Sequence, residues 1–191
     1  MTLPAELRPT LPTWAQVSEK RLQHIQRVAR LALEWARRIG VPEAELARWL
    51  KAVWLHDALR DAADDQLAQW ASAMPGVAGL RHGPAAASRA KAEGEADRGV
   101  LDAVRYHSVG LAEWDMVGRV LYCADFLEPG RAFDQDTRLA LASQFPNDPT
   151  GVLLEVARWR IGHLIRSGWS LPEPTYRFWN SLVRAAPAGP R

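Results

Sequence analysis

Only one cysteine, Cys123, stands among 191 residues, which excludes an internal disulfide and any paired-cysteine metal or redox motif. No run of about 18 apolar residues occurs, so nothing in the sequence reads as a membrane span. The opening stretch, MTLPAELRPTLPTWAQVSEK, carries prolines and charges where a signal peptide needs an apolar core. Lysine is scarce: of 24 basic residues only Lys20, Lys51 and Lys91 are not arginine, and 22 acidic residues leave a net charge of +2. That excess is too small for a nucleic-acid coat. Period-two runs of β-branched residues are absent, as are Asn-Gly and Asp-Gly hairpin turns. The phosphate-loop pattern GxxxxGK[ST], the dinucleotide pattern GxGxxG and the nucleophile pattern GxSxG are all missing. These absences leave a soluble, cytoplasmic protein with no nucleic-acid or membrane partner as the expectation.

What is present is helical periodicity. From Ser18 to Gly40, apolar residues fall at Leu22, Ile25, Ala29, Ala32, Trp35 and Ile39, the spacing of one helix face, with Ser18 and Gly40 as caps. Pro42 opens a second helix that runs to about Arg60 and turns Leu46, Trp49, Leu50, Val53 and Trp54 inward. Further helices are predicted over 65–73, ending at Met74-Pro75-Gly76, and over 84–94, 97–107, 114–127, 149–167 and 173–186. The fold class is therefore an all-α bundle of about seven or eight helices. It forms one domain over 18–186, after a leader segment 1–17 and before a tail 187–191. Trp35, Trp49 and Trp54 sit at core spacing, and Cys123 reads as a small buried residue.

Chemistry rests on the placement of histidine and aspartate. His56-Asp57 ends the apolar stretch AVWLHD, a setting in which both side chains need a partner or a metal. His24 lies one helix earlier among inward-facing residues, His82 in RHGP, His107 at the end of AVRYHS, and Asp125 within YCADFLEPGR. Packing the apolar faces together brings these imidazoles and carboxylates to one place. Such a mixed set suits iron, manganese, zinc or a similar divalent ion. Six candidate ligands exceed the four of a closed structural site and point to an open or two-metal centre. Each histidine taken singly also reads as a core residue bonded to a backbone carbonyl. His163 lies on ordinary apolar spacing and is set aside as structural or surface.

The order H…HD…H…H…D resembles the HD-domain superfamily of metal-dependent phosphohydrolases. More narrowly, RLQHIQRVARLALEWA, AVWLHDALRD, LRHGPAAA, AVRYHSVG and LYCADFLEPGR are similar to the YqeK family of symmetrical diadenosine tetraphosphate hydrolases, over residues 18–135. The resemblance implies an all-helical fold and a metal set of His24, His56, Asp57 and Asp125. His82 and His107 would complete a second metal position or contact phosphate. It further implies one or two divalent transition-metal ions, with iron the usual description and manganese or another divalent ion compatible, and a homodimer. Two positions depart from the family pattern. Arg60 stands where lysine is usual, which keeps the charge and changes its shape, and Ser108 replaces threonine and keeps a hydroxyl.

The implied reaction is attack of metal-activated water on an inner phosphorus of diadenosine tetraphosphate, releasing two ADP. Asp57, Arg60 and Arg131 are the candidate catalytic residues; Arg60, Arg81, Arg105, Ser108 and Arg131 are the candidate substrate contacts. Pro129-Gly130 is placed to turn Arg131 back toward the site. Three other readings stay open: an HD phosphohydrolase acting on a deoxynucleotide, a nucleoside monophosphate or a guanosine alarmone; a nucleotide-binding sensor with an inactive site; and a purely structural helical module.

Overall fold

The computed structural model describes residues 11–71 and 80–185. Among them stand nine helices and no strand: α1 (Glu19–Ile39), α2 (Glu43–His56), α3 (Asp64–Trp70), α4 (His82–Ala92), α5 (Arg98–Tyr106), α6 (Met116–Leu127), α7 (Gln135–Gln144), α8 (Pro149–Arg166) and α9 (Glu173–Ala185). Met74-Pro75-Gly76 and the tail 187–191 lie outside the described residues, as do residues 1–10 of the leader. Residues 11–17 are built onto the body: Leu11, Trp14 and Val17 pack against the core, and Gln16 exchanges backbone hydrogen bonds with Ala58 and Asp61.

Local chemistry sets the helix ends. The Ser18 hydroxyl accepts from the Arg21 amide to start α1, and Gly40 closes it at φ 76°, a left-handed conformation that favours glycine. Asp97 caps α5 by accepting from Val100, Asp115 caps α6 by accepting from Val117, and Asp148 caps α8 ahead of Pro149. Of the predicted boundaries that move, two bear on the site. The second helix stops at His56 rather than near Arg60, and α4 starts at His82, two residues before Pro84. Both changes set a candidate ligand at a helix terminus, where its backbone leaves the regular ladder.

α1, α2, α5 and α6 pack around a common core that includes Trp35, Trp49, Val53, Val104, Val120 and Leu121. α4 lies on α5 and α2; α7, α8 and α9 close the side of α6. The helix count corrects the sequence expectation by one, because α7 falls in a stretch assigned no element. Its sequence, QDTRLALASQ, buries only Ala142 and Arg138, so an apolar-periodicity reading finds no stripe. What anchors it is polar. The Arg138 guanidinium, 2% exposed, donates to the carbonyls of Phe126, Glu128 and Arg131, satisfying the open C-terminal end of α6. Beyond α7, Phe145 stacks on Trp35 at 3.9 Å, and the Trp35 indole donates to Ala142 O at 2.8 Å. Among the described residues, no helix is long and apolar enough to cross a membrane.

Candidate metal centre

Seven buried polar side chains meet at the C-terminal ends of α2, α5 and α6. His24 comes from the inner face of α1, His56 and Asp57 from the end of α2, His82 from the first residue of α4, and His107 from the residue after α5. Asp125 lies in the last turn of α6 and Glu128 just past it. The helix ends themselves favour a cation here, because three C-termini direct partial negative charge at the cluster.

Asp57 is the hub. Its Oδ2 lies 3.6 Å from His56 Nε2 and 3.7 Å from His24 Nε2; its Oδ1 lies 3.3 Å from His82 Nε2 and 3.7 Å from His107 Nε2. Two sets of potential ligands share this carboxylate, His24–His56–Asp57 and Asp57–His82–His107. His82 and His107 approach to 3.1 Å between their Nε2 atoms. That approach depends on Gly83, where a Cβ would press on Val104 O at 2.9 Å and on the His107 ring at 3.1 Å. The glycine of the HGP motif thus lets α4 seat against α5.

The tautomers follow from the backbone. His56 Nδ1 donates to Val53 O at 2.7 Å and His107 Nδ1 donates to Val104 O at 2.8 Å, so the lone pair of each ring lies on Nε2, toward Asp57. Burial lowers the pKa of both, His107 to about 3, and keeps these rings neutral. His56 Nε2 is buried with no hydrogen-bond partner. A lone pair facing a carboxylate needs a cation between them, so the residues fit a divalent ion on the chemistry of the donor set.

Asp125 and Glu128 organise the other side. Asp125 Oδ1 lies 3.1 Å from His24 Nε2 and takes Arg131 Nη2 at 2.6 Å, while Oδ2 takes Arg160 Nη2 at 2.7 Å. Glu128 Oε1 is 3.1 Å from His24 Nδ1, and Oε2 accepts from Arg27 Nε at 2.5 Å and from the Gly130 amide at 2.7 Å. Burial opposes charge on all these groups. For His24 the hydrogen bonds to Asp125 and Glu128 outweigh it and raise the pKa to about 9. Glu128 is held at about 2 by His24 and Arg27, and Asp125 well below the carboxylate range by Arg131 and Arg160. The hydrogen bond from His82 Nε2 does the same for Asp57.

All six sequence-nominated ligands come together, but the arginines divide. Arg131 returns through Pro129-Gly130 to Asp125, and Arg60 Nη1 sits 3.3 Å from His82 Nδ1. Ser108 Oγ is 3.1 Å from His107 Nε2. Arg105 instead donates to Ser88 on α4 at 3.2 Å, and no described contact joins Arg81 to the cluster. Three contributors were not named from the sequence. Glu128 stands inside the LYCADFLEPGR stretch, three residues from each of two nominated positions. Arg21, which binds Asp57 Oδ2 at 2.7 Å, opens the stretch RLQHIQRVARLALEWA without having been singled out, and Arg160 lies outside every stretch that carries the resemblance.

Comparison with known proteins agrees with this geometry. The HD domain family matches residues 21–131. The symmetrical bis(5'-nucleosyl)-tetraphosphatase of Bacillus subtilis is 32% identical over 181 residues, 88% of this chain and 92% of that protein. One of the same name from Halalkalibacterium halodurans is 26% identical over 105 residues, 54% of this chain and 55% of that one. In fold, the chain is similar to the crystal structure of a "predicted HD superfamily hydrolase involved in NAD metabolism" from Clostridium acetobutylicum. The TM-score is 0.73 and the identity 22%, over 89% of this chain and 92% of that one. The chain belongs to the HD domain family and, within it, to the YqeK-type group of its Bacillus relative.

Proposed function

We propose that this protein is a metal-dependent hydrolase of nucleotide phosphoanhydrides that cleaves diadenosine tetraphosphate symmetrically to two ADP. The observation that carries the reading is the buried cluster of four imidazoles around the shared carboxylate of Asp57, with His56 Nε2 left without a hydrogen bond. The names of the two relatives supply the substrate.

In this reading His24, His56, Asp57 and Asp125 hold one divalent ion, and His82 and His107 complete a second position with Asp57 or meet phosphate. When bound, such an ion supplies an acidified water and neutralises phosphate oxygens. The chain's own residues do the rest. Arg131 and Arg160 keep Asp125 ionised, and Glu128 fixes the ring of His24 through its Nδ1. Arg60 and Arg131, at the rim of the cluster, are the cations best placed for phosphate charge, with Ser108 offering a hydroxyl beside His107. Arg105, held to Ser88 on α4, and Arg81 stand apart from this set and remain substrate contacts only by their place in the sequence. Hydrolysis adds one water across the central anhydride, so both products are nucleoside diphosphates. Iron as the resident metal, a homodimer and a cytoplasmic location complete the proposal on the strength of the YqeK resemblance.

The test is metal content of the purified protein followed by product analysis. One or two transition-metal ions per chain and ADP as sole nucleotide product are expected. ATP with AMP would overturn the symmetrical reading. Turnover confined to a deoxynucleotide, a nucleoside monophosphate or a guanosine alarmone would move the protein to another HD activity.

A further inference from the structure

Beside the cluster, between α6, α8 and the segment joining α6 to α7, lies a cavity of about 480 Å3. Its size is that of a small-molecule pocket. Phe126, Phe133 and Trp159 supply its aromatic wall; Ser108, Arg131 and Arg160 line it as well. These last three lead directly to the candidate metal ligands. Ser108 Oγ is 3.1 Å from His107 Nε2, and Arg131 and Arg160 grip the two oxygens of Asp125 at 2.6 and 2.7 Å. One boundary of the cavity is therefore cationic and continuous with the centre, and another is aromatic.

The aromatic wall is exposed yet held in place. Phe133 is 46% exposed, an unfavourable position for a free phenyl group. The buried Arg138 guanidinium stands 4.8 Å over its ring and 5.6 Å over that of Phe126. Phe126 meets Phe133 at 5.8 Å and Trp159 at 6.2 Å, edge to face in both contacts. A second cavity, of about 320 Å3, opens beside His24; Lys20, Arg21, Arg27 and Arg131 outnumber Asp61 and Glu128 on its walls, and no Phe, Tyr or Trp is among the described ones. Basic walls alone accept phosphate; aromatic faces beside guanidinium groups accept a base and its phosphates together.

We infer that the aromatic cavity holds one nucleobase of a nucleotide whose phosphates reach the histidine–aspartate centre, with Phe133 and Trp159 as the stacking surfaces. This rests on the hydrolase reading for the identity of the ligand, and it adds that only one of the two nucleosides is gripped by stacking. The basic cavity receives the other half of the substrate by its phosphates. His163, set aside on sequence grounds, lies on the wall of the aromatic cavity, where its imidazole can meet a polar edge of the base.

The experiment is calorimetric titration of metal-loaded protein with ADP and, separately, with inorganic tripolyphosphate, which has no base. Phe133→Ala removes an exposed side chain and leaves the core intact. It is expected to weaken ADP on the order of ten-fold, the loss of one stacked face, and tripolyphosphate by less than about two-fold. Tyr176→Ala, which removes an exposed aromatic of α9 outside this cavity, serves as the control and leaves both affinities as in the wild type. Equal ADP affinity in wild type and Phe133→Ala, or parallel weakening of both ligands, would overturn the inference, as would a wild type that does not bind ADP. Diadenosine tetraphosphate turnover on the same samples separates the two readings. A Phe133-dependent ADP affinity without turnover keeps the cavity assignment and removes the hydrolase; turnover without that dependence does the reverse.

Discussion

Two clusters of charged side chains cap opposite ends of the same three helices. At the N-terminal side, Arg48 of α2 binds Glu45 at 2.7 Å, the α5 cap Asp97 at 2.6 Å and the α6 cap Asp115 at 2.7 Å. At the C-terminal side, His56, His107 and Asp125 end α2, α5 and α6 around Asp57. The first cluster is complete: one guanidinium shares its donors among three carboxylates, and Gly99 has no side chain to obstruct it. In the second, four imidazoles crowd one carboxylate and His56 Nε2 has no hydrogen bond. Carboxylates at helix N-termini with an arginine between them are a structural solution. The neutral rings of His56 and His107 beside carboxylates at helix C-termini, with the His56 Nε2 lone pair unused, are a cation site. The difference between the clusters lies in satisfaction, since both are rich in charge.

The strongest way to break this contrast is to remove the hub. Asp57→Ala takes away the carboxylate common to both ligand sets and is expected to lower turnover on the order of 10³-fold or more. His56→Ala should act similarly. Circular dichroism of both variants should keep the helical content of the wild type. Full metal-dependent activity in both would refute the site assignment.

Metal removal comes next. A ligand at about one hundred times its dissociation constant stabilises the folded state by about 2.7 kcal/mol. Chelation should therefore lower the melting temperature of the wild type and leave that of Asp57→Ala unchanged. Glu128→Gln sharpens the same point. It removes the charge that orients His24 while retaining an acceptor, and an outer partner of this kind is worth about 10- to 100-fold in metal affinity. Competition with a chromogenic chelator measures that loss. Wild-type affinity in Glu128→Gln would make the Glu128–His24 contact structural only.

How far the sequence discloses these regions follows from what each is made of. The helices with an apolar stripe, such as α1 and α2, are legible because burial of Ile25, Trp35, Trp49 and Val53 writes a three-and-four spacing into the chain. The six ligands are legible because an imidazole or carboxylate carried inward beside an apolar run must find a polar partner or an ion there. α7 is not, since its anchor is a buried arginine whose partners are carbonyls, and periodicity counts arginine as surface. Arg160 is hidden for a related reason. It lies in α8, 35 positions from Asp125, and only folding brings the two together. The Arg48 cluster escapes the sequence reading entirely, because a charge shared among caps of three helices is a property of packing and has no local pattern.

That cluster gives the next smaller effect. Arg48→Met leaves Glu45, Asp97 and Asp115 facing one another and should cost about 1 kcal/mol, a modest figure because the partly exposed groups are screened by solvent. Turnover and metal affinity should stay at wild-type values. A loss of turnover in this variant with unchanged stability would erase the division between a structural cluster and a working one.

The pH dependence of that cost is the finest discriminator. Arg48 holds Asp97 at about 2 against an ordinary 3.8, by hydrogen bonding that outweighs the opposing effect of burial. Above 3.8 both folded and unfolded chains carry the carboxylate, and the stabilisation is complete. As the pH falls from 3.8 toward about 2, the unfolded chain takes up its proton first, so the stabilisation declines and is gone once the folded form protonates as well. Arg48→Met should remove this component and no other. Asp57, Asp125 and Glu128 are also held low by the folded state, and they destabilise wild type and variant equally on acidification. The difference in urea unfolding free energy between the two proteins should therefore be constant above about pH 5 and shrink steadily below about pH 4. A difference that stays constant down to the lowest pH at which both proteins fold would mean that Arg48 acts by packing its aliphatic stem rather than by its charge.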